Sequence, residues 1–242
     1  GDEYLGKGEL GEWRDTHMKI EGNAVLTLQS RFFMDWNAVA KEKNRKDYAE
    51  AYFPIADKKG NTAMQIVASG PDDEDQTIKM GFLKMISQAK ESIYIQTPYF
   101  IPDESLHEML KIAVLSGVKV KIMIPSKPDH PFVYRATEYF AKDIVEYGAE
   151  VYMYQNGFLH SKVMVVDDEI VSVGTANMDV RSFKLNFEIN AFIYDRDVAE
   201  ELIANFDEDQ KNCIRATHDY FAKQSKWRKF KQAFSRLLSP IL

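Results

Sequence analysis

The chain's 242 residues allow one or two domains, and 45% hydrophobic residues is an ordinary globular value. With 31 Lys and Arg against 37 Asp and Glu, the formal net charge is −6, which argues against a general binder of nucleic-acid phosphates. The single cysteine, Cys213, excludes an intrachain disulfide and reads as an inert structural residue in a reducing compartment. No apolar run reaches the ~18 residues that a spanning helix needs, and the first residues do not read as a signal peptide.

In chain order, the pattern predicts a strand at 14–20 and a helix at 24–43, then a polar connection at 44–61 where a domain boundary is placed. A strand at 63–69 follows, then an acidic turn at 72–75 and a helix at 76–90. Next come a strand at 92–97, a helix at 103–116 and a strand at 118–124. Asp103 is a good N-cap and Gly117 a good C-terminal stop for that helix. A helix at 132–147 ends at Gly148, a strand at 150–154 leads into an apolar strand at 158–166, and a return strand covers 170–173. A strand at 186–194, a helix at 198–213 and a basic tail complete the pattern. Strands alternating with helices imply an α/β fold, a mixed sheet with covered faces.

The chemistry concentrates at 158–183. His160, Lys162 and Asp167 stand in the order His-x-Lys-x4-Asp, followed by Gly174, Thr175 and Asn177. Side chains two apart on a strand share a face, so His160 and Lys162 should point the same way. Asp167 and Asp168 begin a turn, Gly174 would let the backbone come close to whatever His160 faces, and Asn177 would arrive from the following loop. An imidazole can attack phosphorus or shuttle a proton, while a cation and an amide hold phosphoryl oxygens. A lone histidine on a strand more often packs than catalyses; glycine and asparagine at these offsets favour catalysis. Glu188 is placed to fix an imidazole tautomer, with a surface ion pair as its plain alternative. Gln96, Tyr99 and Phe100 follow a strand's C-terminal end, where α/β folds hold ligands, and could wall a headgroup or acyl pocket; core packing is more to be expected of Phe100 than of Tyr99. No metal-ligand spacing is present, and His107, His130 and His218 read as surface residues, with His17 near the site.

These residues resemble the phospholipase D superfamily, whose mark is the His-Lys-Asp motif. The wider likeness is to bacterial cardiolipin synthases of the phospholipase D type. It rests on Gly1-Asp2-Glu3-Tyr4-Leu5-Gly6, Trp13-Arg14-Asp15-Thr16-His17, the run Ile95-Gln96-Thr97-Pro98-Tyr99-Phe100-Ile101-Pro102-Asp103, Asn186-Phe187-Glu188 and Leu237-Leu238-Ser239-Pro240. Such enzymes carry two motifs, one in each of two similar halves that meet at one site, and this chain has one. It therefore reads as a C-terminal portion that starts just after the first motif: 1–60 a strand-helix remnant of the first half, 61–218 the second half, 219–242 the tail. Internal layout agrees, since Asp15 and Glu188 each sit near the start of a strand that precedes a helix. The strand at 14–20 should then dock on the second half or be covered by a second copy, because a lone strand leaves unpaired backbone edges.

The resemblance implies transfer of a phosphatidyl group between two phosphatidylglycerol molecules, giving cardiolipin and glycerol through a phosphohistidine, with no metal or cofactor. It implies a catalytic set of His160, Lys162 and Asp167, with His160 the general acid and base and Lys162 and Asn177 holding the phosphoryl oxygens; Asp167, an anion, reads as the holder of the turn more than as a phosphate ligand. It also implies a bacterial membrane location on the cytoplasmic side, with upstream membrane helices. Partners are then phosphatidylglycerol, anionic membrane lipid, and the missing N-terminal half or a second copy of the chain, with no nucleic acid. Two other functions stay open: a self-paired phosphodiesterase or nuclease, and a non-catalytic membrane-surface module. The latter draws on Lys223, Lys226, Arg228, Lys229, Lys231 and Arg236, interleaved with Trp227, Phe230, Phe234, Leu237 and Leu238 at helical spacing. A helix that merely packs on the core, its cations in water, is the competing reading of this tail.

Overall fold

A computed structural model describes residues 2–55, 57 and 59–239. Part of the predicted 44–61 connection, at positions 56 and 58, and the last three residues of the 219–242 tail lie outside the described residues. In chain order the elements are β1 (Trp13–Arg14), α1 (Ala24–Val39), β2 (Ala63–Ser69), α2 (Thr77–Gln88), β3 (Ser92–Gln96), β4 (Phe100–Ile101), α3 (Glu104–Leu115), β5 (Lys119–Pro125), α4 (Pro131–Glu146) and β6 (Glu150–Tyr154). They continue as β7 (Phe158–Leu159), β8 (Val163–Val166), β9 (Ile170–Gly174), β10 (Met178–Asp179), α5 (Val180–Lys184), β11 (Glu188–Tyr194), α6 (Arg196–Gln210), β12 (Cys213–Arg215), α7 (His218–Ala222) and α8 (Lys226–Leu237).

Eight strands form one mixed sheet in the order β12-β6-β5-β3-β8-β9-β11-β2. β3, β5 and β6 run parallel, as helical crossovers require, whereas β8, β9, β11 and β2 form an antiparallel ladder. Along β8 the pleat sends Met164 and Val166 to the face covered by α2, α3, α4 and α7, and Val163 and Val165 to the α6 face. Both faces are covered, which explains the unbroken apolar run in the sequence. The α3 cap forms as the sequence suggests: the Asp103 carboxylate accepts from the Leu106 N–H at 3.0 Å.

Several boundaries differ from the sequence reading. The predicted strand at 158–166 is two strands: residues 160–162 leave the ladder, β7 pairs in parallel with β1, and β8 stays in the main sheet. Of the predicted strand at 14–20, Arg14 alone is paired, together with Trp13 just before it. Residues 15–20 still alternate between exposed and half-buried, with Met18 packed on the cluster of Val163, Val165 and Val173, so the segment is extended without a ladder partner. The helix predicted at 24–43 ends at Val39, and the one at 198–213 ends at Gln210, leaving Cys213 on β12. The acidic turn at 72–75 does more than face water: the Asp73 carboxylate accepts from the Thr77 N–H at 2.7 Å and the Ser69 hydroxyl at 2.8 Å, tying β2 to the start of α2.

Candidate active site

The site is assembled where β1 meets β7. The Phe158 N–H donates to the Glu12 carbonyl at 2.9 Å and the His160 N–H to the Arg14 carbonyl at 2.8 Å, so the short ladder fixes the backbone that carries the imidazole. Gly157 permits the approach. Its φ of +107° lies where side chains rarely go, and a Cβ there would meet the Glu12 carbonyl oxygen at 2.1 Å. The Arg14 guanidinium continues the tether inward, donating to the Asp209 carboxylate at 2.9 Å.

Above this ladder the His160 ring lies against Trp13, with centroids 4.8 Å apart, and its Nδ1 stands 2.9 Å from Asp15 Oδ2. A carboxylate at Nδ1 accepts that N–H, which fixes the tautomer and leaves Nε2 free to accept a proton or attack. Asp15 is held in turn by the Thr16 N–H at 2.8 Å. Burial works to raise the Asp15 pKa, but the bonds from His160 and Thr16 and the charges of His160 and Lys162 together hold it below the usual value. The docked strand has therefore placed a base-orienting carboxylate 145 residues upstream of its histidine. The sequence carried a trace of this in the shared layout around Asp15 and Glu188, but nothing local pairs Asp15 with His160.

Lys162 turns its ammonium back onto the His160 carbonyl at 2.6 Å. Burial pulls its pKa down to about 8, against the opposing pull of Asp15, Glu188, Asp179 and Asp129. Those four carboxylates mark the surroundings of the cation. Asp179 is buried, which raises its pKa, and it caps α5 by accepting from the Ser182 N–H at 2.6 Å. Asn177 also acts on Asp179 through its side chain and donates its backbone N–H to the Ser182 hydroxyl at 3.2 Å. Asp129, which accepts from the Tyr99 hydroxyl, was not singled out from the sequence; its place after the C-terminal end of β5 was the available signal.

The other candidates separate from this centre. Asp167 lies at the far end of β8, in the turn to β9, where it and Asp168 take φ near +50°. Its carboxylate accepts the backbone N–H groups of Lys90, Glu91 and Ser92 at 2.7, 2.8 and 2.9 Å, so it holds the turn and does not stand with His160 and Lys162. Gly174 serves close approach to β11 instead of to His160, because a Cβ would meet the Ile189 carbonyl at 2.3 Å. Thr175 extends that join: its N–H donates to the Ile189 carbonyl and its hydroxyl accepts from the Ile189 N–H at 2.9 Å. The carboxylate on the imidazole is Asp15, while Glu188 accepts from the Asn186 amide at 3.1 Å. Gln96 is buried and donates to Asp209 at 2.9 Å, and Phe100 is a fully buried core residue, so neither walls an open pocket. Of that trio, Tyr99 stays partly exposed.

His107 is also buried, its Nε2 2.8 Å from Asp143, and is not the surface residue its sequence context implied. His17 lines a cleft of about 940 Å³ between residues 16–24, β2 and α6. Burial pushes the Cys213 thiol up to about 12, which makes it unreactive. Among the described residues, no three His, Cys, Asp or Glu side chains converge as a metal site.

The chain is similar to known proteins in both sequence and fold. Residues 82–210, just over half of the chain, match the family model described as "Cardiolipin synthase, PLD-like domain". The full chain is 57% identical to a cardiolipin synthase of Listeria welshimeri and 55% identical to the major cardiolipin synthase of Bacillus subtilis, and it spans 50% of the length of each. Among solved structures, the phospholipase D family member Nuc from Salmonella typhimurium shares the fold with a TM-score of 0.56 at 21% identity, over 65% of this chain and 99% of Nuc. Phosphatidylserine synthase from Haemophilus influenzae aligns with a TM-score of 0.63 at 16% identity, over 91% of this chain and 62% of its own. With the motif, the sheet and an alignment over the whole chain in accord, the chain belongs to the phospholipase D-like cardiolipin synthase family.

Proposed function

We propose that this chain supplies one half of the active site of a bacterial cardiolipin synthase, which joins two phosphatidylglycerol molecules into cardiolipin and releases glycerol. The observation that carries the reading is the Asp15–His160 pair beside a half-buried Lys162. A histidine of the other half attacks the phosphorus of the first phosphatidylglycerol. His160, its Nδ1 proton held by Asp15, donates from Nε2 to the departing glycerol oxygen. That leaves a phosphatidyl group on the attacking histidine. His160 Nε2 then takes the proton from a glycerol hydroxyl of the second phosphatidylglycerol, whose oxygen attacks phosphorus and frees the histidine.

Lys162 faces the phosphoryl oxygens as a cation below its pKa of about 8, stabilising the charge spread over them during transfer. Asn177 assists from the loop before β10, and Asp167, Gly174 and Thr175 hold the strands that carry these groups. Glu188, which lies near Lys162, is the carboxylate for the other half's histidine, as Asp15 is for His160. The other half comes from the remaining length of the protein, since this chain spans half of its relatives. The working location is the cytoplasmic face of the bacterial membrane, where phosphatidylglycerol is both substrate and surface.

Turnover of labelled phosphatidylglycerol in mixed micelles tests the reading, with the 242-residue chain alone, its His160→Ala variant, and the chain supplemented with the N-terminal half of a relative. Cardiolipin formed on supplementation alone, and lost in His160→Ala, is the expected result. Activity of the unsupplemented chain that rises with the square of its concentration would replace the reading with a self-paired dimer.

A further inference from the structure

The helix α8 is docked with its polar side inward. Gln232 and Ser235 are each 2% exposed, whereas Trp227, Phe230, Phe234 and Leu237 are 63, 59, 49 and 72% exposed. The reason lies on α4. Glu138 is fully buried there and accepts from Arg228, from Gln232 Nε2 at 3.1 Å and from Arg135 at 2.7 Å. A buried carboxylate is costly unless surrounded by donors, so α8 must turn its Arg228 and Gln232 side towards α4. Positions 227, 230, 234 and 237, at spacings of three and four, are thereby driven to the outside as one apolar ridge. Trp227 and Phe230 stack with centroids 5.5 Å apart, so the ridge is shaped before anything binds it.

The charge around the ridge is of one sign. Residues 220–239 hold six of the chain's 31 Lys and Arg and none of its 37 acidic residues, although the chain as a whole is acidic. Glu138 consumes Arg228; Lys226, Lys229, Lys231 and Arg236 remain along the helix, with Lys223 just before it. A two-fold contact between two copies would bring these cations together and repel. A surface that takes apolar side chains to the depth of one helix face and carries fixed negative charge above them is an anionic lipid leaflet.

We infer that α8 is an interfacial membrane anchor, seated parallel to an anionic leaflet with Trp227, Phe230, Phe234 and Leu237 in the acyl boundary and the flanking cations at the headgroups. The anchor is independent of the phosphatidyl-transfer reading, since none of its residues belongs to the His160 site.

The test is flotation of the 242-residue chain with vesicles of phosphatidylcholine alone or mixed with phosphatidylserine, an anionic lipid without the glycerol headgroup. Binding to the mixed vesicles, weakened by salt and absent on phosphatidylcholine, is expected. It should fall by more than about tenfold in the triple variant Trp227→Ser, Phe230→Ser, Phe234→Ser, whose exposed positions leave the fold intact by circular dichroism. The lipid-induced blue shift of tryptophan emission should vanish in Trp227→Phe, and His160→Ala should float as the parent does. Undiminished flotation of the triple variant would overturn the anchor. So would concentration-dependent self-association that the triple variant abolishes, because the ridge would then be an interface between copies.

Discussion

The stretch before β2 and the body from β2 onward are held by different forces. Among residues 5–55 none is buried; α1 leaves Phe32, Met34, Trp36 and Val39 largely in solvent, and its aromatic neighbours Phe33, Tyr48 and Phe53 cluster with one another. The body buries Phe82, Phe100, Phe158, Phe183 and Phe206 almost completely on two covered sheet faces. Yet the stretch with no core supplies Asp15 to the histidine of the body. Position at an active site thus needs few contacts if they are directional: two backbone bonds to β7, one ion pair from Arg14, and a glycine that lets the strands meet.

The sharpest way to break this comparison is at the pair that joins the regions. His160→Ala in the supplemented enzyme should cost at least about 10⁴-fold in kcat, and Asp15→Asn about 10²–10⁴-fold, since an amide cannot hold the imidazole in the required tautomer. Neither should lower the melting temperature of the chain appreciably. If Asp15→Asn kept full turnover, the contact would be structural only. Gly157→Ala should approach the Asp15→Asn loss by a different route, forcing Glu12 away from β7. Limited proteolysis should then cut before β2 while the body stays resistant.

Core substitutions should separate the regions by stability. Phe100→Ala should cost about 3–5 kcal/mol in urea unfolding, because a fully buried ring leaves a cavity. Phe32→Ala, at 61% exposure, should stay within about 0.5 kcal/mol. Equal costs would mean that α1 has a buried partner in solution.

A smaller effect concerns Lys162 and pH. Its folded pKa of about 8 lies below the ordinary 10.5, so between these values the unfolded chain binds more protons and stability rises with pH. Below about 8 the burial penalty is fully present. Lys162→Met should therefore stabilise the chain by about 1–3 kcal/mol at pH 7, a gain that fades as pH rises through 8 to 10.5. The same variant should abolish turnover in the supplemented enzyme, whose activity should fall above pH 8 as the ammonium is lost. A gain independent of pH would place the lysine in water.

The sequence by itself determined what is local. The Asp103 cap, the stop at Gly117, the β8–β9 hairpin around Asp167 and the motif spacing all follow from interactions within a few residues, or from a pleat that repeats every two. It also determined the family, because His160, Lys162 and their flanking runs lie in contiguous stretches. Tertiary structure decided what depends on distant groups. The apolar run at 158–166 could not reveal that it breaks at 160–162, since the break exists to let β7 pair with a strand 145 residues away. Nor could the wheel of α8 reveal which side faces in. Its amphipathic pattern fits either orientation, and a single carboxylate on another helix, Glu138, chose the polar one because a buried charge must find its donors.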